Sequence, residues 1–466
     1  MRALKIKIKG LKKPQFERLK ELTYHAKNLY NQALWTLREA YSATGKYFSY
    51  PQMDKVMKQV TNLEGEVNYK LLKAKVAQQT LRRLDKNFRS FFSCHQDFQK
   101  NPGKYKGKPR PPKYKLDPHD NLIFDYQAFR IQGLFIIEKG PEITLPNGKV
   151  FPAGESIRYE QVVVLEKGLE IQVPKQLWNQ EIKQVEIIPK HNSFHAVFVY
   201  EENPDDFKPV EPSDQVMSID LGLNNLATCV TNGVVEPFII DGRRLKSINA
   251  HYNKRKASMQ SKLSERGKKW SRRLQSLTDW RNAVVNDYMH KATSYVVNMC
   301  VKHGISKVVV GDVVKSLNQI NLGKRTNQNF VNLALGQFVE KLGYKLGSHG
   351  IELVVTDESY SSQASFVDGD KMPKRYNQKA KQKRTFSGKR VKRGLYQSQD
   401  GTLVNADVNG AFNILRKTDS DFSFSKLVEK VGARVKEWLH PTKRIRPLPT
   451  KKQQFWINLE RQRKVT

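Results

Sequence analysis

Asp220 and Asp407 each stand at the end of an apolar run, and that placement limits how the chain can fold. Val216-Met217-Ser218-Ile219-Asp220 reads as a buried strand that stops at a carboxylate. Asn405-Ala406-Asp407-Val408-Asn409-Gly410-Ala411-Phe412-Asn413-Ile414-Leu415 reads as an apolar helix that begins with one. Burying a charge without a partner is costly, so acids in these places call for packing that supplies one. Between them the pattern alternates. A second strand spans Leu226–Val230, a helical stretch runs from about Leu245 to Val301 as a hairpin, and a buried strand covers Lys307–Val310. A helix from about Asn329 to His349 and a strand at Ile351–Thr356 follow. Such alternation predicts an α/β domain.

The first half has other periods. Leu4, Ile6 and Ile8 alternate with Lys5, Lys7 and Lys9, a half-buried strand. Amphipathic helices are expected from about Pro14 to Tyr41 and from Tyr69 to Phe92, the second with Arg82 and Arg83 on its basic side. The Pro- and Gly-rich stretch 101–114 is a linker. From 120 to 205 the period falls to two, with strands at Leu122–Tyr126, Phe135–Glu138, Gln161–Leu165, Glu170–Val173, Val185–Ile188 and Phe194–Tyr200. An Asn-Gly hairpin signal lies at Pro146–Lys149. Short strands punctuated by turns suggest a small barrel that recruits the N-terminal strand, with the helices inserted between.

Charge narrows the partners. Lys and Arg number 82 against 45 Asp and Glu, a net charge of +37 over 466 residues. Self-repulsion of that size is relieved by a polyanion, with affinity falling steeply as salt rises. A packing protein of ribosomal type is the plain alternative, and the large apolar α/β region argues against it. The three cysteines, Cys94, Cys229 and Cys300, are too far apart for a zinc finger or a disulfide framework. No apolar run of about 18 residues is present, so no membrane span is expected. A cytoplasmic, prokaryotic setting in association with the nucleoid is the expectation.

A sheet whose first strand ends in Asp, with a late Asp opening a helix against it, is the RNase H-like arrangement. It would hold two Mg²⁺ for phosphodiester chemistry. At this point the sequence resembles a known family. Ser218-Ile219-Asp220-Leu221-Gly222 and the Asn405–Leu415 segment are similar to the first and third RuvC motifs of the TnpB (OrfB) transposon-encoded nucleases. Gly107-Lys108-Pro109-Arg110-Pro111-Pro112 and Asp287-Tyr288-Met289-His290-Lys291 resemble family sequence as well. The resemblance implies an α/β protein in which an RNase H-like RuvC nuclease domain accompanies a helical recognition lobe inserted in a small wedge β-barrel. The implied boundaries are 1–12 for the first barrel strand, 13–105 for the lobe, 106–210 for the barrel and 211–420 for the nuclease. A basic insertion at 361–404 stands where the family has a zinc ribbon, and 421–466 is a basic tail, expected to be partly disordered alone. Guide RNA and target double-stranded DNA with a short adjacent motif are the implied partners, with the protein a monomer or a homodimer on RNA. Mg²⁺ is the implied cofactor, with Mn²⁺ able to substitute.

Two departures matter. The cysteines of the zinc ribbon are absent between Ser361 and Tyr396, so no zinc is expected there. The second RuvC strand ends Val308-Val309-Val310-Gly311-Asp312, with Gly311 where the family has Glu. Three readings compete. Glu358, after the strand Ile351–Thr356, could replace the missing ligand from the neighbouring strand about 4.8 Å away. Asp312 could do so only if the strand has already ended, since side chains alternate. Or the site has lost a ligand, and the protein binds without cutting. The family-like settings of Asp220 and Asp407 favour the first. The expected catalytic and metal-ligating set is therefore Asp220, Glu358 and Asp407. Lys324, Arg325, Asn327, Gln328, Lys389, Arg390, Arg393, Arg82 and Arg83 are expected to contact nucleic acid. The lead reading is a transposon's RNA-guided DNA endonuclease. A guided binder or repressor that does not cut is the alternative, and an end-joining transposase a third.

Overall fold

The computed structural model describes residues 1–138, 143–144, 150–151, 156–190, 193–202, 207–312, 335–373 and 385–447. The chain forms two compact units, Met1–Asp206 and Phe207–Thr466. Among the described residues no helix is long and apolar enough to cross a membrane.

In the first unit, β1 (Arg2–Lys7) pairs antiparallel with a strand near the unit's end. Three helices follow: α1 (Lys13–Thr44), α2 (Tyr50–Met57) and α3 (Ala74–Lys100). The strands after them are β2 (Leu122–Asp125), β3 (Arg130–Glu138), β4 (Ile143–Thr144), β5 (Val150–Phe151), β6 (Ser156–Glu166), β7 (Leu169–Gln172), β8 (Glu181–Lys190) and β9 (Ser193–Glu201). They form sheets in the orders β1-β9-β8-β2, β3-β6-β7 and β4-β5. The N-terminal strand thus joins β9 across the intervening helices, as its alternation with a buried face requires. Two boundaries differ from expectation. α3 begins at Ala74, because Tyr69 and Leu72 are buried from a turn, and it runs on to Lys100. The short α2, started by Ser49 and Pro51, gave no periodic signal of its own.

The second unit is built on β10 (Val216–Leu221), β11 (Asn225–Thr231), β12 (Phe238–Asp241), β13 (Lys307–Gly311) and β14 (Glu352–Thr356). Their order is β14-β13-β10-β11-β12, with β10, β13 and β14 parallel and β11 antiparallel to both its neighbours. α4 (Arg243–Ser264) and α5 (Arg272–Lys302) form the expected pair of helices, and α6 (Leu335–Gly347) packs on α5. Met217 and Ile219 of β10 join Val308 and Val310 of β13 in a core with Tyr288, Met289, Phe338 and Leu342. The opposite face carries Val230 and is covered by α7 (Ala406–Thr418), through Val408, Ala411 and Phe412. Alternation therefore puts Asp220 on the α7 face.

The basic insertion holds a small antiparallel sheet of β15 (Lys389–Lys392), β16 (Leu395–Gln397) and β17 (Leu403–Asn405), which its charge and glycine content concealed. The expected tail also needs correction. Residues 424–445 form α8 (Phe424–Val431), α9 (Val435–Leu439) and β18 (Arg444–Ile445), and β18 pairs parallel with β12. Leu427, Trp438 and Leu439 are buried in the same core as α7, so this stretch is part of the domain despite its charge.

Candidate active site at the strand ends

Three neighbouring parallel strands finish together. Ile219 is level with Val310, and Gly311 with Thr356. Asp220 is the last residue but one of the first, and its carboxylate lies against α7, where a Cβ at Gly410 would stand 3.0 Å from Asp220 Oδ2. Only glycine lets the helix come this close without moving the acid. Asp407 lies in the first turn of α7. The Asn405 side chain caps that turn, accepting from the N–H groups of Asp407 (3.0 Å) and Val408 (3.3 Å). A carboxylate at a helix N-terminus is favoured by the helix dipole. Asp407 Oδ2 also accepts from Asn225 Nδ2 at 2.6 Å.

Glu358 follows β14 by two residues, and its side chain lies over Gly311. A Cβ at 311 would be 3.0 Å from Glu358 Oε2, 3.2 Å from its Cβ and 3.0 Å from Ile414 Cδ1. The space that a side chain at 311 would fill is taken by the Glu358 carboxyl. The loop that carries Glu358 is fastened to α7. Lys417 Nζ donates to the carbonyls of Asp357 (2.8 Å) and Ser359 (2.6 Å). The buried Asn413 donates to Ser361 O (2.9 Å) and Ala364 O (2.7 Å), and Asn409 donates to Ala364 O (2.8 Å). Tyr360, at φ 67°, is the non-glycine residue in the left-handed region among those described, a turn that such fastening sustains. The polar residues of α7 are thus clamps, and one helix sets both late carboxylates.

Electrostatics ties the three acids together. Burial first, then the charges of Asp407 and Glu358, hold the Asp220 carboxyl well above the usual carboxylate range, and Arg390 opposes the shift. Among the described residues, no trio of His, Cys, Asp or Glu is already drawn to one ligating point. The acids share a field without forming a finished coordination sphere. Their hard oxygen donors suit Mg²⁺ or Mn²⁺. Thr228, directly across the strand pair from Asp220, has a buried hydroxyl with no hydrogen-bond partner. An unmet polar atom beside mutually repelling carboxylates is the surrounding that a cation and its water would satisfy.

The other expected residues divide. Lys389 and Arg390 lie exposed on β15, and Arg393 is exposed in the turn that follows. Arg82 is exposed and stacks over Tyr50, 4.8 Å from the ring centre. Arg83 is half-buried, forms an ion pair with the buried Asp120 and lies over Tyr30 at 5.7 Å. Lys324, Arg325, Asn327 and Gln328 fall outside the described residues. Sequence reasoning missed Asn225, Lys417, Thr228 and Gly410. A small residue one helical turn after Asp407 was the available signal for the last.

Comparisons with known proteins place the chain. The OrfB_IS605 family model, described as "Probable transposase", matches residues 197–317, and the "Cas12f1-like, TNB domain" model matches 336–414. "TnpB-like protein MJ0751" of Methanocaldococcus jannaschii is 22% identical over 252 residues, covering 53% of this chain and 82% of its own. "Putative RNA-guided DNA endonuclease InsQ" of Escherichia coli K12 is 22% identical over 417 residues, covering 86% and 88%. Among solved structures, a Cas12f1–sgRNA–target DNA complex aligns with TM-score 0.29 and 14% identity over 89% of this chain and 99% of that one. An Alicyclobacillus acidoterrestris C2c1 ternary complex (AacC2c1) aligns with TM-score 0.33 and 11% identity over 88% and 69%. The two family models and the two relatives support a TnpB-like reading of the chain, which resembles these proteins in the matched regions.

Proposed function

We propose that this TnpB-like chain is an RNA-guided DNA endonuclease of a transposon, cutting with a RuvC-type site formed by Asp220, Glu358 and Asp407. The observation that carries the reading is the Glu358 carboxyl standing in the space left open by Gly311. A third acid thereby reaches the field of the other two from the adjacent strand. The strand order, three antiparallel strands continued by two parallel to the first, supports an RNase H-like frame. Unit one, with helices between its first two strands, is read as a recognition lobe inserted in a wedge barrel. It would bind guide RNA and read a short motif beside the target.

Asp220, Glu358 and Asp407 would hold two Mg²⁺ ions. Bound magnesium supplies Lewis-acid stabilisation of the scissile phosphate and a more acidic water. The chain's own residues do the rest. Asp220 keeps its proton to unusually high pH until a cation offsets its neighbours. Arg390 brings a positive charge to the same side, suited to a phosphodiester backbone. Lys417 keeps the Glu358 loop on α7.

The unfinished coordination sphere favours a second reading, a guided DNA binder that does not cut. Purified protein with its guide RNA, matched DNA and Mg²⁺ separates the two. Cleavage that disappears in Asp220→Ala, with DNA binding retained, supports the nuclease. Binding without cleavage products supports the alternative.

A further inference from the structure

Asn225 has two partners of opposite kind. Its Nδ2 donates to Asp407 Oδ2 at 2.6 Å, and its Oδ1 accepts from Arg444 Nη1 at 2.8 Å. An amide can be turned end for end at little steric cost, so something must choose its direction. Arg only donates and a carboxylate only accepts. Flipping the amide would set N–H against N–H at one end and oxygen against oxygen at the other. Arg444 therefore determines that a donor faces Asp407.

Arg444 is itself held by tertiary structure. It lies in β18, level with Ile239 of β12, and Ile239 N–H donates to Lys443 O at 2.9 Å. Its guanidinium is 3.8 Å from Asp241, a buried acid also gripped by Arg243. The short C-terminal strand is thereby wired to an acid of the candidate site 37 residues earlier in the chain.

We propose that Asn225 and Arg444 form a positioning relay: Arg444 orients the Asn225 amide, which holds one oxygen of Asp407 and leaves the other for a divalent cation. The relay rests on the nuclease reading and goes beyond it by making the C-terminal strand part of the site. Partners of this kind typically change metal affinity 10–100-fold when lost. Asn225→Leu keeps the size and removes the donor without adding a carboxylate. Arg444→Gln removes the fixed charge and leaves a side chain able to hydrogen-bond.

The test is Mn²⁺ binding to the full chain, stripped of nucleic acid, followed by electron paramagnetic resonance. Cleavage at varied Mg²⁺ and thermal melting run alongside. Asn225→Leu should weaken Mn²⁺ roughly 10–100-fold and raise the Mg²⁺ needed for half-maximal cutting in step. Arg444→Gln should do less, and the double variant should be no worse than Asn225→Leu alone, because both act through one amide. Should Asn225→Leu misfold by melting, Arg444→Gln carries the same prediction. Parent-like Mn²⁺ affinity in both variants, with Asp407→Ala binding weakly, overturns the relay and spares the nuclease reading. Parent and Asp407→Ala binding alike, or a parent that binds no Mn²⁺, overturns that reading and the relay with it.

Discussion

The second unit holds two groups of carboxylates with opposite surroundings. In the insertion, Asp370 accepts from the N–H groups of Ser365 (2.8 Å) and Ser387 (3.2 Å), Asp368 accepts from the N–H of Gln399 (2.9 Å), and the one Ser387 hydroxyl proton lies between the two carboxylates (2.8 and 2.9 Å). These acids are met by donors and tie 365–370, 387 and 399 into one knot. At the strand ends Asp220 instead faces Asp407 and Glu358, and its carboxyl is pushed up. A carboxylate surrounded by N–H and O–H groups is a structural fastener; carboxylates turned toward each other create a demand for positive charge. The knot stands in the segment from which cysteines are missing, so short hydrogen bonds there do the fastening.

The largest expected effect breaks the active group outright. Glu358→Ala or Asp407→Ala should lower guided DNA cutting by roughly 10³-fold or more, the scale on which members of a catalytic unit are lost. A gel assay of cleavage rate measures it. If Glu358→Ala cuts like the parent, the third acid is elsewhere. Next comes Gly410→Ala. Its methyl would stand 3.0 Å from Asp220 Oδ2, and displacing a reacting group by about 1 Å costs roughly 10²-fold. Gly311→Glu alone should also impair cutting by crowding Glu358, and adding Glu358→Gly should restore part of it.

On the fastener side the effect should be on stability alone. Asp370→Ala should lose about 1 kcal/mol per unmet partner group, read as a lower melting temperature, with Mn²⁺ affinity unchanged. A change in metal affinity would erase the distinction between the two groups.

The smallest effect tests the repulsion at Asp220. Its folded form binds a proton more tightly than the unfolded chain, so the stability this group contributes is present in acid. That stability is lost as pH rises through the raised folded value. Without divalent ions near pH 7.5, Asp220→Asn should melt higher than the parent. The gap should close on acidification, and Mg²⁺ should raise the parent's melting point more than the variant's. A variant that melts lower across this range would remove the like-charge account.

Much of the scaffold could be read from the residues. β10, β11, β13 and the helices after them follow from apolar period and length, because their core faces are buried, and the half-exposed edge strand β14 follows from its apolar run alone. β12, at Phe238–Asp241, was missed because three apolar residues before an acid carry too little period. β15–β17 and the 424–445 stretch were missed because Lys, Arg and Gly interrupt their short apolar patterns. There a few buried groups, such as Tyr396 and Trp438, decide the structure.

By itself the sequence determined that Asp220 and Asp407 end apolar elements, that Gly311 lacks a side chain where the resemblance led one to expect Glu, and that the insertion has no cysteine. These are local facts, set by period and residue type. Only the tertiary structure decided that the Glu358 carboxyl fills the space over Gly311, that Lys417 holds its loop, and that Arg444 turns the Asn225 amide toward Asp407. Each of those depends on a strand register or a helix approach between segments far apart in the chain. A hydrogen bond's direction is fixed by which partner packing brings to it, and no single stretch of sequence contains both.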